Sequence, residues 1–381
     1  MTARKIRLGM AGGGMGSMIG DMHRLASAHA GFELVAGALS STKARADESA
    51  AKAGIAPERS YASFAEMAER EAAREDGIEA VAILTPNHLH APAARAFMEK
   101  GVHIVCEKPL TANLAEAEEL VALADARSVA FIVTHSYTGF PMVRRARETV
   151  AAGTIGAVRS VRTTYLQGWM GPLEAAGATP QSNWHFDPER SGIAGTLSDV
   201  GSHAYFMGTY VTGLKLEEVA AELTRFGTFS GLDNDATVLL RYAGGARGAL
   251  ACSQIAAGHD NGFGFDIAGE KGALRWTVER PQELQLALVG QRPETLTPDE
   301  KDMAAMAHWT AQGFGGFESY FAAFSRLYAD MAELIAAKGE RRAPAEWALL
   351  APSVKDGCEV MRFIDAAVRS SAANAAWTKP A

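Results

Sequence analysis

The sequence predicts a two-domain α/β protein, with a doubly wound parallel sheet first and an α+β domain with a large, mainly antiparallel open sheet second. Three observations support this. The chain has 381 residues, too many for one small core. Apolar strands alternate with helical segments over residues 1–137, which is typical of a parallel sheet covered on both faces. From residue 138 onward, strand-like runs follow one another with turn signals between them, as in an antiparallel meander.

The first domain, residues 1–137, shows five short apolar runs that we interpret as strands, at 5–11, 32–39, 78–86, 102–106 and 129–136. Helical patterns lie between them, beginning at the glycine loop and at 42–53, 61–75, 90–101 and 113–128. Thr111 precedes the last of these helices and is its expected cap.

The second domain, residues 138–381, begins with a helix that has Pro141 near its start. Strand-like runs follow at 157–168, 218–227, 235–243, 246–256, 263–269, 273–279 and 283–289, and then a loop at 289–305. Two amphipathic helices at about 315–372 close the chain, and we expect them to pack near the domain junction.

Composition excludes several classes of function. A net charge of −7 and a pI near 5.9 argue against a nucleic-acid or anionic-membrane partner. Cys106, Cys252 and Cys358 are widely scattered, so neither a disulfide framework nor a Cys-x-x-Cys metal site is indicated. We find no signal-peptide core and no run of membrane-spanning length, and therefore predict a cytoplasmic protein without a metal.

The stretch "GMAGGGMGSMIG" follows the first strand and opens a helix, the context that a dinucleotide-binding (Rossmann) fingerprint requires. Gly12 would make the tight turn and Gly14 would let the backbone approach the pyrophosphate, with Met15 and Gly16 completing the loop. Ser17 takes the third glycine position. The alternative is a flexible turn in a chain rich in glycine and alanine.

The end of the second strand discriminates NAD from NADP. An acidic residue there would bind the ribose 2′-hydroxyl, but this chain has Ser40 and Ser41, with Lys43 and Arg45 just beyond. Hydroxyls with nearby cations suit a 2′-phosphate, so we favour NADP over NAD. Alternatively, Lys43 and Arg45 are solvated residues on a helix face.

With the glycine loop in place, the stretch "TPNHLHAPAARAFMEKGVHIVCEKPLT" resembles the Gfo/Idh/MocA family of nicotinamide-dependent oxidoreductases, whose hallmark is Glu-Lys-Pro after a strand. The resemblance extends to "AAGTIGAVRSV", "SGIAGTLSDVGSHAYF" and "PSVKDGCEVMRFIDAAVRSSA", and so covers most of the chain.

The resemblance implies that Lys108, Asp199 and His203 form the catalytic group, as in sugar and polyol dehydrogenases of the family. The residue types suit alcohol oxidation, since a histidine can take the hydroxyl proton near neutral pH. Asp199, four residues earlier on a helical turn, could orient that ring, and Lys108 could stabilise alkoxide charge. Alternatively, Asp199 caps a helix and His203 is a core histidine.

The resemblance also implies further contacts. Those to the cofactor are Thr85, Pro86, Asn87, His90, Glu107 and Lys108, although Glu107 could equally be a structural partner to a backbone group. Those to the substrate, besides the catalytic group, are Tyr137, Gln167, Trp169, Trp184 and His185, although tryptophans are more often core residues. His88 and His90 lack an evident third metal ligand.

We therefore predict a dehydrogenase or reductase acting on a sugar, glycoside or cyclic polyol, assembled as a homo-oligomer (dimer or tetramer) through the open sheet face. Two alternatives stay open. One is a reductase of another carbonyl or imine, as in the biliverdin-reductase-like branch, and the other is a non-catalytic NAD(P)-sensing regulator.

Overall fold

The structure is a computed structural model that describes residues 4–179, 183–227, 230–299 and 318–381. The chain divides into two compact units. The first unit consists of two segments, Met1–Gly139 and Tyr320–Cys358. The second unit consists of Phe140–Ser319 and Glu359–Ala381. The sequence-based boundary at 137/138 did not foresee the return of Tyr320–Cys358 to the first unit. Residues 315–317 of the predicted C-terminal helices lie outside the described ranges.

The first unit contains a five-stranded sheet in which every pair of neighbouring strands is parallel. Its strands are β1 (Ile6–Gly12), β2 (Phe32–Ala38), β3 (Ala80–Leu84), β4 (His103–Cys106) and β5 (Phe131–Val133). The spatial order β2-β1-β3-β4-β5 and the fully buried β3 confirm the predicted Rossmann sheet.

Helices connect these strands: α1 (Met18–His29), α2 (Lys43–Lys52), α3 (Phe64–Ala72), α4 (His90–Met98) and α5 (Leu114–Arg127). The predicted cap of α5 was wrong. Asn113 caps the helix, because its side-chain oxygen accepts a hydrogen bond from the Glu116 backbone N–H at 3.1 Å. Thr111 instead donates its hydroxyl to the Asn113 carbonyl at 2.7 Å.

The second unit contains an eight-stranded sheet with the order β13-β12-β11-β10-β6-β9-β8-β7. Its strands are β6 (Val158–Leu166), β7 (Leu216–Thr224), β8 (Asp235–Tyr242), β9 (Arg247–Ser253), β10 (Gly262–Gly269), β11 (Gly272–Thr277), β12 (Leu284–Leu288) and β13 (Glu294–Leu296). All neighbours pair antiparallel except β6 and β9, which are parallel. Strand β13 lies in the segment predicted as a loop.

The remaining helices are α6 (Pro141–Ala151), α7 (Met170–Ala175), α8 (Pro188–Ser191), α9 (Ser202–Thr212), α10 (Glu318–Glu340) and α11 (Val354–Ala372). Helix α9 packs on β6, β9 and β10. Along β6, Val161 and Tyr165 are buried whereas Arg162 and Thr164 are exposed, so one sheet face is covered and the other is open.

Across the described ranges, no helix combines the length and the apolarity that crossing a bilayer requires. The described His, Cys, Asp and Glu side chains form no group of three that could hold a metal ion. The three cysteines are buried, and no disulfide joins them.

Candidate functional site

The glycine loop connects β1 to α1, and two of its glycines are required for space. Gly12 has a φ of 82°, and a Cβ there would lie 2.6 Å from the Leu84 carbonyl oxygen at the end of β3. A Cβ on Gly14 would lie 2.4 Å from the carbonyl oxygen of Leu39, which follows β2. Both contacts are with backbone, so only glycine lets the loop pack this closely on the two strand ends.

Gly20 performs the close-packing role that the pattern assigns to position 17. A Cβ on Gly20 would lie 2.1 Å from the Gly13 carbonyl oxygen, so the first turn of α1 can touch the loop only through a glycine. Ser17 is instead the cap of α1, and its Oγ accepts a hydrogen bond from the Gly20 N–H at 3.1 Å. Sequence reasoning missed Gly20, although a glycine three residues past the expected position was visible.

A cavity of about 280 Å³ lies between the glycine loop and the end of β2. Its lining residues are Gly14, Met15, Gly16, Ser17, Leu39, Ser40, Arg45 and Ser49. Five of the predicted cofactor residues therefore meet here. The Met15 N–H donates to the Ser49 Oγ at 3.1 Å, which ties the loop to α2.

The two cations predicted to favour NADP have different surroundings. Lys43 forms an ion pair with Asp47 one turn along α2, with about half of each side chain exposed. It is not among the residues that line this cavity, so its surroundings match the alternative of a solvated helix residue, and its contact with the cofactor stays a prediction. Arg45 lines the cavity, and no carboxylate in the described part of the chain lies within ion-pair distance of it. Ser41 is exposed and lies outside the lining, whereas Ser40 belongs to it.

Thr85, Pro86 and Asn87 follow β3 directly. Pro86 precedes a 3₁₀ turn at Asn87–Leu89, and Asn87 is buried. The Thr85 hydroxyl oxygen is buried and has no hydrogen-bond partner among the described residues. Leaving such a group unsatisfied costs about 1–3 kcal/mol, so a ligand that bonds it would bind favourably. This orphaned hydroxyl and the cavity at the glycine loop fit a dinucleotide.

His90 connects two predicted cofactor loops through both of its ring nitrogens. Its Nδ1 lies 2.9 Å from the Pro109 carbonyl oxygen and its Nε2 lies 2.8 Å from the Thr85 carbonyl oxygen. The ring is buried, and burial lowers the pKa of His90 although both carbonyls favour the charged form. The residue predicted to contact the cofactor is therefore occupied by backbone on both sides.

Glu107 is the centre of a buried polar cluster. Its Oε1 lies 2.8 Å from the His23 Nε2 and accepts a short hydrogen bond from the Thr134 hydroxyl. His23 in turn places its Nδ1 2.7 Å from the Tyr328 hydroxyl. Burial opposes ionisation, but the His23 contact, the Lys108 charge and the Thr134 hydrogen bond outweigh it and lower the pKa of Glu107. The carboxylate of Glu107 is thus bonded by the side chains of His23 and Thr134, whereas the structural alternative expected a backbone group as its partner.

Lys108 is half-buried between Glu107 and a cis-linked Pro109. Next to it lies His135, which sequence reasoning missed although it follows β5 at the same edge of the sheet. Burial, together with the Lys108 cation, lowers the pKa of His135 to about 3. His135 is therefore neutral near pH 7. The carboxylate of Glu107 interacts electrostatically with both Lys108 and His135.

In the second unit, Asp199 lies within a π-helical turn, Leu197–Gly201, which continues directly into α9 with His203 in its first turn. Asp199 is therefore inside the helical segment and is not its cap. π-helical turns are rare and occur often at functional sites. Half-buried Asp233 holds the start of this segment, since its carboxylate accepts the N–H groups of Gly195 and Leu197 at 2.6 and 2.9 Å. Burial raises the pKa of Asp233 despite these two bonds.

A chain of side-chain hydrogen bonds joins Asp199 to Gln167 through Gln254. The Gln254 Nε2 donates to the Asp199 Oδ2 at 2.7 Å and to the Gln167 Oε1 at 3.2 Å. The Gln167 Nε2 then donates to the Asn261 Oδ1 at 3.1 Å. Two predicted substrate residues are thus connected by a glutamine that sequence reasoning missed, and the only signal was its position directly after β9.

His203 is 6% exposed and has aromatic neighbours. Its ring centroid lies 6.1 Å from that of Tyr165 and 6.5 Å from that of Phe263, and those two rings stack at 4.6 Å. Burial alone is compatible with a core histidine, as the alternative reading proposed.

Trp169, Trp184 and His185 form one aromatic group, each half-buried. The rings of Trp184 and His185 stack at 3.7 Å, and that of Trp169 lies 6.1 Å from His185 and is parallel to that of Phe186. Tyr137 belongs to the first unit, where it is 4% exposed with its ring 5.5 Å from that of Tyr320.

A sequence model described as "Oxidoreductase family, NAD-binding Rossmann fold" matches residues 6–135, and one described as "GFO/IDH/MocA C-terminal domain" matches residues 143–275. An uncharacterised oxidoreductase of Bacillus subtilis, YfiI, is 30% identical over 384 residues, covering 100% of this chain and 98% of its own length.

Two similar proteins have more specific descriptions. Levoglucosan dehydrogenase of Pseudarthrobacter phenanthrenivorans is 30% identical over 325 residues, 79% of each chain. A crystal structure of an inositol dehydrogenase homologue from Azotobacter vinelandii, in complex with NADH and myo-inositol, is 30% identical. It has a TM-score of 0.85 and covers 99% of this chain and 98% of its own.

Proposed function

Because the chain belongs to the Gfo/Idh/MocA family of NAD-binding oxidoreductases, we propose that it interconverts a secondary alcohol and a ketone on a sugar, glycoside or cyclic polyol. Relatives named for levoglucosan and inositol, both polyhydroxylated rings, support this substrate class.

The observation that carries the proposal is the hydrogen-bonded set of Gln167, Gln254 and Asp199 in the second unit, with Asp199 one helical turn before His203. A ring of hydroxyl groups needs paired donors and acceptors, which amides and a carboxylate supply. It also needs flat apolar walls, and the stacked rings of Trp184 and His185 with nearby Trp169 provide that surface type.

Each catalytic residue has a chemical role in the proposal. His203 takes the hydroxyl proton in the oxidative direction and returns it in the reductive one. Asp199 accepts a hydrogen bond from the imidazole and stabilises its protonated form. Lys108 donates a hydrogen bond to the substrate oxygen and stabilises the negative charge that develops on it. The nicotinamide ring, when bound, accepts or supplies the hydride.

We further propose a preference for NADP over NAD. The end of β2 carries Ser40 in place of an acidic residue, and Arg45 lines the same cavity without an ion-pair partner in the described ranges. An arginine next to hydroxyl groups suits a 2′-phosphate, which accepts paired hydrogen bonds.

The homo-oligomer predicted from the sequence stays part of the proposal. The open face of the large sheet presents Arg162, Thr164 and Leu239, which is 48% exposed. A second subunit that covered this face would bury its apolar and polar side chains together.

The test is a panel of sugars, glycosides and inositols assayed with NAD and NADP by the absorbance of the reduced nicotinamide. On the best substrate, His203→Ala should lower kcat by about 10²- to 10⁴-fold, the usual range for a lost general base, with cofactor binding retained. His259→Ala, an exposed histidine of the same unit, is the matched control.

Three outcomes would contradict the proposal. Near-normal turnover by His203→Ala would remove the assigned base. A cofactor fluorescence change without turnover of any compound in the panel would favour the sensing regulator. Turnover confined to a carbonyl or imine outside the polyol class would favour the other reductase branch.

A further inference from the structure

We infer that Gln254 is a positioning residue that fixes the carboxylate of Asp199 and links it to the amide of Gln167, a predicted substrate contact. This inference rests on the proposed function, in which Asp199 orients His203. It adds a residue to that reaction which no sequence motif of the chain contains.

The hydrogen bonds of Gln254 use both N–H groups and the carbonyl oxygen of its side-chain amide. Its two N–H groups are directed to the Asp199 Oδ2 at 2.7 Å and to the Gln167 Oε1 at 3.2 Å. Its Oε1 accepts the Thr196 hydroxyl at 2.9 Å. Thr196 immediately precedes the π-helical turn that contains Asp199, so the glutamine is attached to that segment at two points.

The chemistry of these partners determines which way the amide faces. If its oxygen and nitrogen exchanged places, the oxygen would face the Asp199 carboxylate, and two acceptors would lie at hydrogen-bond distance. The observed orientation gives the carboxylate a neutral donor. It therefore holds the carboxylate in place while leaving its negative charge available to an imidazolium.

Gln254 is itself held rigidly. It is 1% exposed, its N–H donates to the Asn234 carbonyl at 3.0 Å, and its own carbonyl accepts the Met170 N–H at 3.1 Å. Buried polar groups with every bond satisfied keep one geometry, which is what a positioning residue must provide. Through its bonds to Gln167 and Asp199, Gln254 would also pass a displacement of the Gln167 side chain on to the Asp199 carboxylate.

Two substitutions separate positioning from simple structural support. Gln254→Met keeps the length but removes both donors, and kcat should fall by about 10- to 100-fold while the KM for NAD(P) stays unchanged. Gln254→Glu keeps the shape but places a second carboxyl group beside Asp199. The two groups should then share a proton, and the acidic limb of the kcat–pH profile for oxidation should move upward by about one pH unit or more.

A double-mutant cycle tests the route of the effect. If Gln254 acts through Asp199, then Gln254→Met should cost little further activity in an Asp199→Asn background. The matched controls are Gln291→Met and Gln291→Glu at an exposed glutamine of the same unit, which should leave kcat and its pH profile unchanged. Should the Gln254 variants fail to fold, Thr196→Val removes the bond to the Gln254 Oε1 and should lower kcat in the same direction by a smaller factor.

The inference fails if wild-type protein oxidises a polyol and the folded Gln254 variants retain its kcat and pH profile. It also fails if the losses of Asp199→Asn and Gln254→Met are additive. Absence of polyol turnover by the wild-type protein would instead refute the proposed function, so the two failures are distinguishable.

Discussion

Replacing Gly14 with alanine should disturb both stability and cofactor binding, because its added Cβ would lie 2.4 Å from the Leu39 carbonyl oxygen. Ordinary contacts begin at 3.4 Å, so the glycine loop and the end of β2 would have to separate by about 1 Å. The position of the added Cβ is fixed by the backbone of residue 14, and its partner is a backbone oxygen, so no side-chain rotation can relieve the contact. Overpacking of this kind costs about 1–3 kcal/mol.

The same displacement would move the wall of the 280 Å³ cavity in which Ser40 and Arg45 lie. If cofactor binding has to restore the original spacing, about 1–3 kcal/mol of binding free energy is lost. At 1.4 kcal/mol for each factor of ten, the Kd for NADP should rise by about 5- to 140-fold. The assays are urea unfolding of the free protein and cofactor titration by fluorescence.

Two further glycines separate a steric clash from a conformational effect. Gly339, near the end of α10, has normal helical geometry and no atom within 4 Å of an added Cβ, so Gly339→Ala should raise stability by about 0.5–1 kcal/mol. Gly16 also has open space but a φ of 83°, so Gly16→Ala should cost about 1–2 kcal/mol through strain alone. Unfolding and NADP binding by Gly14→Ala at wild-type values would refute the reasoning.

Three other perturbations have defined outcomes. Arg45→Ala should raise the KM for NADP by about tenfold and leave that for NAD nearly unchanged, whereas Lys43→Ala, which removes a surface ion pair, should affect neither; equal effects of the two variants would contradict the assignment. Glu107 has a lowered pKa, so its ionisation stabilises the fold above the unfolded-state pKa of about 4.3, and that stability is lost as pH falls through the lower folded-state value. Glu107→Gln should therefore lower the free energy of unfolding, measured with urea at pH 7, by about 1.5–3 kcal/mol. The variant should also lose less stability than the wild type between pH 5 and pH 3; parallel curves of unfolding free energy against pH for the two proteins would argue against this role of Glu107. His90→Phe removes the bridge between the Thr85 and Pro109 carbonyls, so kcat and cofactor affinity should both fall by about tenfold in a folded protein, and unchanged kinetics would show that neither loop depends on it.

Much of the fold could be predicted because its signals are local. The alternation of apolar strands and helices gave all five strands of the first sheet within a few residues, since period-2 and period-3.6 patterns arise from neighbouring residues. The short strand β13 was missed because three residues, Glu294–Leu296, carry no such pattern. The parallel pairing of β6 with β9 was missed because strand order is decided by packing between distant segments.

In the candidate site, too, local features could be predicted from the sequence and contacts between distant residues could not. Gly12 and Gly14 were identified from a short motif, because the backbone geometry they need is encoded within a few neighbouring residues. The roles of Asp199 and His203 follow from the resemblance to the family and stay predictions. The contacts of Glu107 could not be identified in this way. Its partner His23 lies 84 residues away in the sequence, on α1, and only the folded sheet brings the two together.

The sequence by itself determined the two architectures, the glycine loop and the family to which the chain belongs. Only the tertiary structure decided which side chains act on one another: Gln254 reaches Asp199 across 55 residues, and Lys43 turns to Asp47 while Arg45 lines the cavity. The physical reason is that secondary structure depends on neighbours along the chain, whereas a side-chain hydrogen bond depends on where strand order and helix packing place its donor and acceptor.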